Sequence, residues 1–263
     1  MGTKKSASGE EEPLDLTQIS ADVAGATVGG ILGYLINDPM APIYGTAAGV
    51  LLSHTIKRGL SEMRQRLLGR REVVRIDATF EFAAQKIKEN IEQGKQLRQD
   101  DFFQEQPGER AAADEILEGI LLAAQREHQE KKLRFYGNLV ANIAFSPSIS
   151  REHANLLIRV GESLSYRQLC LLRLFAVKGQ FGLRQKDYTS FGEVGEGRAA
   201  LLQEIYDLYS HGMVHRGGAA MLGLLDVTPG STDIQGTGAV LHNLMELWLI
   251  DPQDLEQVAS LLR

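Results

Sequence analysis

Apolar residues recur at intervals of three and four along much of the chain, which is the period of amphipathic helices. Residues 72–92 predict one such helix, whose core-facing positions are Val73, Ile76, Phe80, Ala83 and Ile87. Residues 110–145 predict a second, continuous helix that ends before Pro147. Its apolar face carries Leu117, Leu121, Ala124, His128, Phe135, Leu139 and Ile143. We expect His128 to lie in the core or at its boundary on that face, with its ring nitrogens hydrogen-bonded.

The pattern changes after residue 148. Ser165 and Gln168 have the spacing of a capping box, which predicts the start of a helix. A further apolar stripe over residues 201–209 predicts a helix that ends at Gly212. Asp251 followed by Pro252 predicts the capped start of a last helix. The two apolar runs that follow, residues 213–216 and 221–227, are separated by glycines and predict two short strands.

Two segments resemble a winged helix-turn-helix domain. EIYDLYSHGMVHR resembles the end of a recognition-position helix that enters the first wing strand, and IQGTGAVLHNL resembles a second wing strand that enters a closing helix. The second segment departs from the family pattern, because Gln235 and Gly236 stand where a threonine and a proline are common. The resemblance covers residues 165–250 and implies a small β-hairpin packed on helices.

The helix in the recognition position has the wrong charge for reading DNA. Base readout needs arginine, lysine, asparagine or glutamine side chains in the major groove, with basic flanks on phosphates. This helix offers Arg198 and Gln203 against Glu193, Glu196, Glu204 and Asp207. We therefore disfavour nucleic acid as a partner and interpret the domain as a protein-contact module.

Residues 24–59 carry glycines at a fixed spacing of four. Gly25, Gly29 and Gly33 form one series, and Gly45 and Gly49 repeat the spacing after a turn at two prolines. A glycine inside a helix costs about 1 kcal/mol relative to alanine, so the series needs a reason. Residues four apart share a helix face, and glycines there form a groove for a second helix. The arrangement resembles glycine-zipper hairpins of membrane-associated bacterial proteins, which implies helix contact, self-association or membrane insertion.

Length argues against a simple membrane span. Between Asp22 and Asp38 lie 15 uncharged residues, which give about 23 Å of helix against about 30 Å of hydrocarbon. The second arm, residues 39–56, reaches about 27 Å but contains polar residues. A buried hairpin in a soluble core and a membrane-active hairpin both remain open.

A basic segment follows the apolar part of the hairpin. From Lys57 to Arg75 there are seven basic and two acidic residues, a local net charge of +5. Such a segment is attracted to an anionic leaflet at about 1 kcal/mol per charge, and the alternative is a solvated helix face that pairs with acidic neighbours. The residues that we assign to an anionic surface are Lys57, Arg58, Arg64, Arg66, Arg70 and Arg71.

Composition and motifs narrow the chemistry. The 263 residues have a net charge of −6 and a single cysteine, Cys170, which lies in an apolar run and is expected to be buried. The chain lacks the dinucleotide, Walker, GxSxG, HExxH and CxxC motifs. The pair His211 and His215 is separated by Gly212, so a shared metal-binding face is not expected. We predict no enzyme activity, no cofactor and no metal.

The sequence thus predicts a mainly α protein in three parts. Residues 1–15 form a disordered tail, residues 16–147 a helical domain built on the glycine-rich hairpin, and residues 148–263 a winged-helix-like domain with a small β-hairpin. We expect a non-enzymatic bacterial protein that acts through self-association or membrane interaction of the hairpin. Its C-terminal domain would contact or sense an unknown protein partner, and a defence or toxic effector fits this plan.

The competing interpretation is a soluble cytosolic regulator or adaptor that uses the winged-helix unit for protein or nucleic-acid contact. In the leading interpretation the protein is cytoplasmic, with peripheral attachment or conditional insertion at the inner membrane. Its expected partners are further copies of itself and an anionic membrane.

Overall fold

The part of the chain that the computed structural model describes comprises residues 51–52, 54–56, 58–59, 69–190, 192, 194–218 and 220–263. In this part α-helices are joined by short 3-10 turns and accompanied by one two-stranded antiparallel sheet. The expected class, mainly α with a small β-hairpin, is confirmed. The predicted tail and most of the glycine-rich hairpin lie outside the described residues.

The helices are α1 (Arg70–Glu92), α2 (Ala112–Arg126), α3 (Leu133–Ile143), α4 (Arg151–Ser163), α5 (Tyr166–Ala176), α6 (Glu196–Ser210), α7 (Gly236–Leu244) and α8 (Pro252–Ser260). The strands β1 (Val214–Arg216) and β2 (Thr232–Ile234) pair antiparallel, with Val214 opposite Ile234. The 3-10 turns are Asp101–Phe103, Glu130–Lys132, Lys178–Gln180, Leu224–Asp226, Pro229–Ser231 and Leu247–Leu249.

The helix predicted over residues 72–92 is α1. Glu72 accepts a hydrogen bond from the backbone nitrogen of Gly69 at 2.6 Å, which satisfies a backbone donor at the helix start. The predicted stripe is buried from Ile76 onward. The assignment of Val73 to the stripe is wrong: this residue is 39% exposed, because it lies in the first turn, before the buried part of the helix begins.

A close helix contact occurs where α1 crosses α3. A Cβ atom built on Gly137 of α3 would lie 2.7 Å from the Phe82 Cβ, 2.7 Å from the Thr79 carbonyl oxygen and 2.8 Å from the Ala83 nitrogen. Two of these atoms belong to the backbone of α1, so a rotamer change cannot relieve the overlap. The two backbones approach closely because residue 137 has no side chain.

The single long helix predicted over residues 110–145 is wrong. The α-helical backbone ends at Arg126, and Glu127 is extended with φ −70° and ψ 122°. The Glu127 carboxylate, which is only 6% exposed, lies 2.6 Å from the ammonium group of Lys132. It also accepts a hydrogen bond from the Tyr136 hydroxyl at 2.8 Å and one from the Gln129 backbone nitrogen at 2.8 Å. The chain turns here because the carboxylate lies inside the fold, where it needs these partners.

His128 is the second correction in this segment. The prediction places it on the buried face of a continuous helix, but its side chain is 85% exposed. It lies beyond Arg126, the last residue of α2, and after the extended Glu127, so it no longer shares the face of Leu121 and Ala124, which are both buried.

The helix starts and stops predicted in the second half are confirmed. The Ser165 hydroxyl accepts from the Gln168 nitrogen at 3.1 Å, and the Gln168 side chain accepts from the Ser165 nitrogen at 2.9 Å. Gly212 has φ +68° just after α6, the left-handed conformation that glycine adopts at helix ends. Asp251 caps α8 by accepting a hydrogen bond from the Gln253 nitrogen at 2.7 Å.

The strand predicted over residues 221–227 is wrong. This segment belongs to the loop between β1 and β2 and contains the 3-10 turn Leu224–Asp226. The carboxylate of Asp226 accepts a hydrogen bond from the Leu222 nitrogen at 2.9 Å. An aspartate that binds nearby backbone in this way favours a turn over a strand. The pairing partner of β1 comes later, at Thr232–Ile234.

A buried polar joint connects α1 and α3 to the end of α7. The ammonium group of Lys86 lies 2.6 Å from the carboxylate of Glu246, and their side chains are 8% and 6% exposed. Asn138 donates to the Met245 carbonyl at 3.1 Å, and Asn142 donates to the Leu244 carbonyl at 2.8 Å. One cluster of buried hydrophobic residues spans both halves of the chain. The domain boundary at residue 147 remains a prediction.

The thiol of Cys170 is buried at 2% exposure within α5. Burial, with the nearby charge of Asp254, raises the pKa of this thiol to about 12. Because the thiolate is the reactive form, we expect the folded protein to resist modification by a chromogenic disulfide reagent at about pH 8 and the urea-unfolded protein to react fully. Rapid modification of the folded protein would contradict the buried placement.

Candidate protein-contact surface

The zipper glycines cannot be placed on this structure. Gly25, Gly29, Gly33, Gly45 and Gly49 all lie outside the described residues. Their role in helix contact remains a prediction from the sequence.

The cationic residues of the basic segment are partly described. Lys57, Arg64 and Arg66 lie outside the residues whose side chains are described, whereas Arg70 and Arg71 are exposed at the start of α1. Two exposed guanidinium groups at one helix end are available to an anionic surface.

Arg58 behaves differently. Its guanidinium group donates to Glu105 at 2.6 Å and to Asp114 at 3.0 Å, and its side chain is 36% exposed. These contacts follow the alternative interpretation of the basic segment, in which basic residues pair with acidic neighbours. The assignment of the whole segment to an anionic surface remains a prediction.

The helix in the recognition position, α6, engages its basic and amide side chains within the protein. Arg198 donates through Nε to the Leu261 carbonyl at 2.8 Å, and Gln203 donates to the Asp207 carboxylate at 2.7 Å. Arg167 of α5 donates through two nitrogens to Glu204, both at 2.9 Å, and the hydrogen bond to that carboxylate raises the pKa of Arg167. Because these side chains already have partners within the protein, they offer few hydrogen bonds to a base edge or a phosphate.

The loop between β1 and β2, residues 217–231, which we call the wing loop, presents apolar side chains to solvent. Leu222 is 85% exposed and Leu225 is 43% exposed, whereas the neighbouring Met221 is 3% exposed and anchors the loop. The Met221 nitrogen donates to the Tyr209 hydroxyl of α6 at 3.2 Å. The loop is therefore anchored at the buried Met221, and its exposed tip, which carries Leu222 and Leu225, is apolar.

Hydrogen bonds fix the shape of the wing loop from both sides. Arg216 of β1 donates to the Asp226 carbonyl at 2.9 Å, and the Tyr188 nitrogen donates to the Leu225 carbonyl at 2.7 Å. The Arg216 guanidinium is thereby turned toward the protein rather than toward a phosphate backbone. A fixed loop with two exposed leucines suits contact with a protein surface, since exposed apolar groups that lie together commonly mark interaction sites.

The wing tip is absent from the sequence-based prediction, because the apolar character of residues 221–227 favours a strand there. The glycines at positions 217, 218 and 223 and the aspartate at position 226 surround the leucines and are typical of a turn. These turn-forming residues are the sequence signal that indicates an exposed loop at this position.

The two histidines near the wing do not form part of a larger ligand cluster. The Nδ1 atom of His211 lies 2.7 Å from the Asp207 carbonyl oxygen, and His215 lies on β1. Among the described residues, no group of three or more histidine, cysteine, aspartate or glutamate side chains is placed to hold a metal ion.

Within the described ranges, no helix combines the length and the apolar character that crossing a bilayer requires. Comparisons of the chain with protein-family models, with curated proteins and with solved structures gave no match.

Proposed function

We propose that the protein is a non-enzymatic bacterial protein that acts through its glycine-rich hairpin, by association with further copies of itself and with anionic bilayers. Its C-terminal part is a contact module for a protein partner, and this contact controls exposure of the hairpin. A toxic or defence effector fits such an arrangement of effector segment and sensing module.

The wing loop is the observation that supports a protein-contact role for the C-terminal part. Its tip exposes Leu222 and Leu225 while its base is held by Met221 and by backbone hydrogen bonds. A preformed loop loses little conformational entropy on binding, so the apolar contact of its tip contributes more fully to affinity. The internal contacts of Arg198 and Gln203 support a protein partner over a nucleic acid.

The hairpin part is supported by sequence spacing and by charge. Glycines four residues apart allow two helix backbones to approach closely, and the same chain uses a glycine for this purpose at Gly137, where α3 meets α1. Arg70 and Arg71 add exposed positive charge downstream of the hairpin in a chain whose net charge is −6.

One observation favours the second candidate function, a soluble cytosolic regulator or adaptor. Arg58 lies at the end of the hairpin segment and is engaged by Glu105 and Asp114 within the protein. If the whole basic segment pairs in this way, it serves the fold rather than a membrane surface. The wing loop is the contact surface in both candidate functions.

Sedimentation of the full chain tests the self-association of the hairpin. We expect the wild-type protein to form an oligomer at micromolar concentration and the Gly29→Leu variant to be a monomer, because leucine fills the groove between the helices. Gly197→Leu is the matched control: a Cβ atom at this position of α6 meets no atom within 4 Å, so the oligomer is retained.

Three results would contradict the proposal. A monomeric wild type would remove self-association, and a Gly29→Leu variant with an unchanged oligomer would remove the glycine groove. Binding to a mixed-sequence DNA duplex that persists at about 200 mM salt would show that the C-terminal part reads nucleic acid.

A further inference from the structure

An open cleft lies where the end of α1, the end of α3 and the segment after α7 meet. Its volume is about 410 Å³. Small-molecule sites are commonly clefts of about 300–1,000 Å³ that combine apolar walls with a few placed polar groups. This cleft has both kinds of lining, and it is separate from the wing loop.

The floor of the cleft is the buried pair Lys86 and Glu246, which is held by further hydrogen bonds. Asn142 donates to the Glu246 carboxylate at 3.3 Å, and Asn90 donates to the Asn142 side-chain oxygen at 2.9 Å. The connected amides and charges fix one another in place, as a preorganised binding site requires. Lys86 also donates to Glu89 at 3.1 Å, so its ammonium group has two carboxylate partners within the protein.

Glu246 has an unusual backbone. Its φ of 57° and ψ of 52° place it in the left-handed region, which is uncommon for a residue other than glycine. Such conformations cost free energy and persist only where the surrounding structure compensates for it. They are found most often at functional sites. Here the conformation brings the Glu246 carboxylate to the floor and Trp248, two residues later, to the wall.

The rim carries positive charge that the protein leaves available. Lys95 lines the cleft and donates to the Asn90 side chain at 2.8 Å; within the described residues, no carboxylate pairs with it. Among the described residues, the charged groups of the lining are Lys86, Lys95 and Glu246. Because Glu246 and Glu89 both pair with Lys86, the positive charge that an anionic group on a ligand can meet is that of Lys95.

One wall of the cleft is aromatic. Trp248 is 46% exposed and lines the cleft together with Phe145. The imidazole of His242 packs edge-on to the indole at 6.0 Å between ring centroids, which helps to fix its orientation. A half-exposed indole offers a stacking surface to a planar ring.

Amide side chains complete the lining. Gln93 and Asn243 both line the cleft, and each amide carries donors and an acceptor. The oxygen of Asn243 lies 3.2 Å from His242 Nδ1, which leaves its NH₂ group for a ligand. Amides beside an aromatic wall match the polar edges of a heteroaromatic base.

We propose that this cleft binds a mononucleotide, with the base stacked on Trp248, its edge at the amides of Gln93 and Asn243, and the phosphate at Lys95. This inference goes beyond the proposed function and does not depend on it. The ligand contacts residues just after α1, Gln93 and Lys95, and residues at and after the end of α7, Asn243 and Trp248.

Titration of the full chain with adenosine 5′-monophosphate tests the proposal. Trp248 is the only tryptophan of the 263 residues, so its fluorescence, excited at a wavelength where the base does not absorb, reports on the cleft alone. We expect a saturable change with the nucleotide. Adenosine and inorganic phosphate, each of which keeps one half of the ligand, should bind at least about tenfold more weakly.

Variants at the rim and the wall separate the two contacts without disturbing the buried floor. Lys95→Gln should weaken nucleotide binding by about tenfold and leave adenosine binding unchanged, whereas Lys186→Gln, at an exposed lysine far along the chain, should change neither. Trp248→Ala, followed by calorimetry, should weaken both the nucleotide and adenosine by about tenfold or more.

The proposal is overturned if calorimetry and fluorescence show no saturable binding of the nucleotide up to about 10 mM, which corresponds to a negligible affinity. It is also overturned if adenosine binds as tightly as the nucleotide or if Lys95→Gln retains the wild-type affinity. Circular dichroism of each variant establishes that a loss of binding is not a loss of fold.

Discussion

Replacing Gly137 with alanine is expected to lower the free energy of unfolding by about 2–3 kcal/mol, within the usual range for overpacking a core. Alanine favours helix over glycine by about 1 kcal/mol, but its Cβ atom would lie 2.7 Å from the Thr79 carbonyl oxygen and 2.8 Å from the Ala83 nitrogen. The helices α1 and α3 must move apart to admit it. Urea unfolding followed by circular dichroism measures the loss.

The control for this experiment is Gly197→Ala. Residue 197 lies in α6, and a Cβ atom there meets nothing within 4 Å. The alanine should leave the stability unchanged or raise it by up to about 1 kcal/mol. Equal stability of Gly137→Ala and the wild type would show that α1 and α3 do not approach as closely as described.

Removing Lys86 from its buried pair with Glu246 is expected to cost about 3–5 kcal/mol, because the Glu246 carboxylate is left inside the protein without its cation. Lys86→Met tests this loss, and Glu246→Gln should cost less, because Lys86 keeps its contact with the Glu89 carboxylate at 3.1 Å. Lys186→Met, at an exposed lysine, is the control and should have little effect. The double variant Lys86→Met with Glu246→Gln should lose less stability than the two single losses added together.

The pH range of this measurement follows from the pKa of Lys86. Burial by itself would lower this pKa, but the hydrogen bonds and charges of Glu246 and Glu89 outweigh burial and raise it. The folded protein therefore holds the proton more tightly than the unfolded chain. The stabilisation is fully present below the unfolded pKa, about 10.4, and is lost as the pH rises through the folded value. Measurement at about pH 7 captures it entirely, and strictly additive losses at that pH would contradict the pairing.

The parts of the fold that the sequence predicts correctly depend on local signals. The capping box of Ser165 and Gln168, the cap at Asp251 and the glycine at position 212 each act within a few residues. The buried stripe of α1 from Ile76 onward likewise follows from its period. Such features are readable because neighbouring residues supply both partners of each interaction.

The errors arise where an unusual or distant contact decides the outcome. The inward turn of Glu127 depends on Lys132, whose ammonium group also donates to the Glu162 carbonyl of α4 at 3.2 Å, and no local pattern indicates that packing. The leucines at positions 222 and 225 have the apolar character of a strand, although Asp226 binds the backbone of the loop. A carboxylate contact of this kind overrides an otherwise regular pattern.

The candidate sites likewise combine features that the local sequence indicates with contacts that only the fold creates. The charge of α6 is readable from its acidic residues, and the structure adds that Arg198 and Gln203 have partners within the protein. The cleft could not be predicted, because Lys95 and Trp248 are distant in sequence and come together only through the packing of α1 on α3 and of α3 on α7. The close approach at Gly137 is equally non-local.

The most direct test of the proposed function is flotation of the full chain with lipid vesicles. We predict that the wild-type protein floats with vesicles that contain anionic lipid and stays at the bottom with purely zwitterionic vesicles. The double variant Arg70→Glu with Arg71→Glu, which reverses two exposed charges at the start of α1, should float less well. A wild-type protein that stays at the bottom with anionic vesicles and sediments as a monomer would contradict the account.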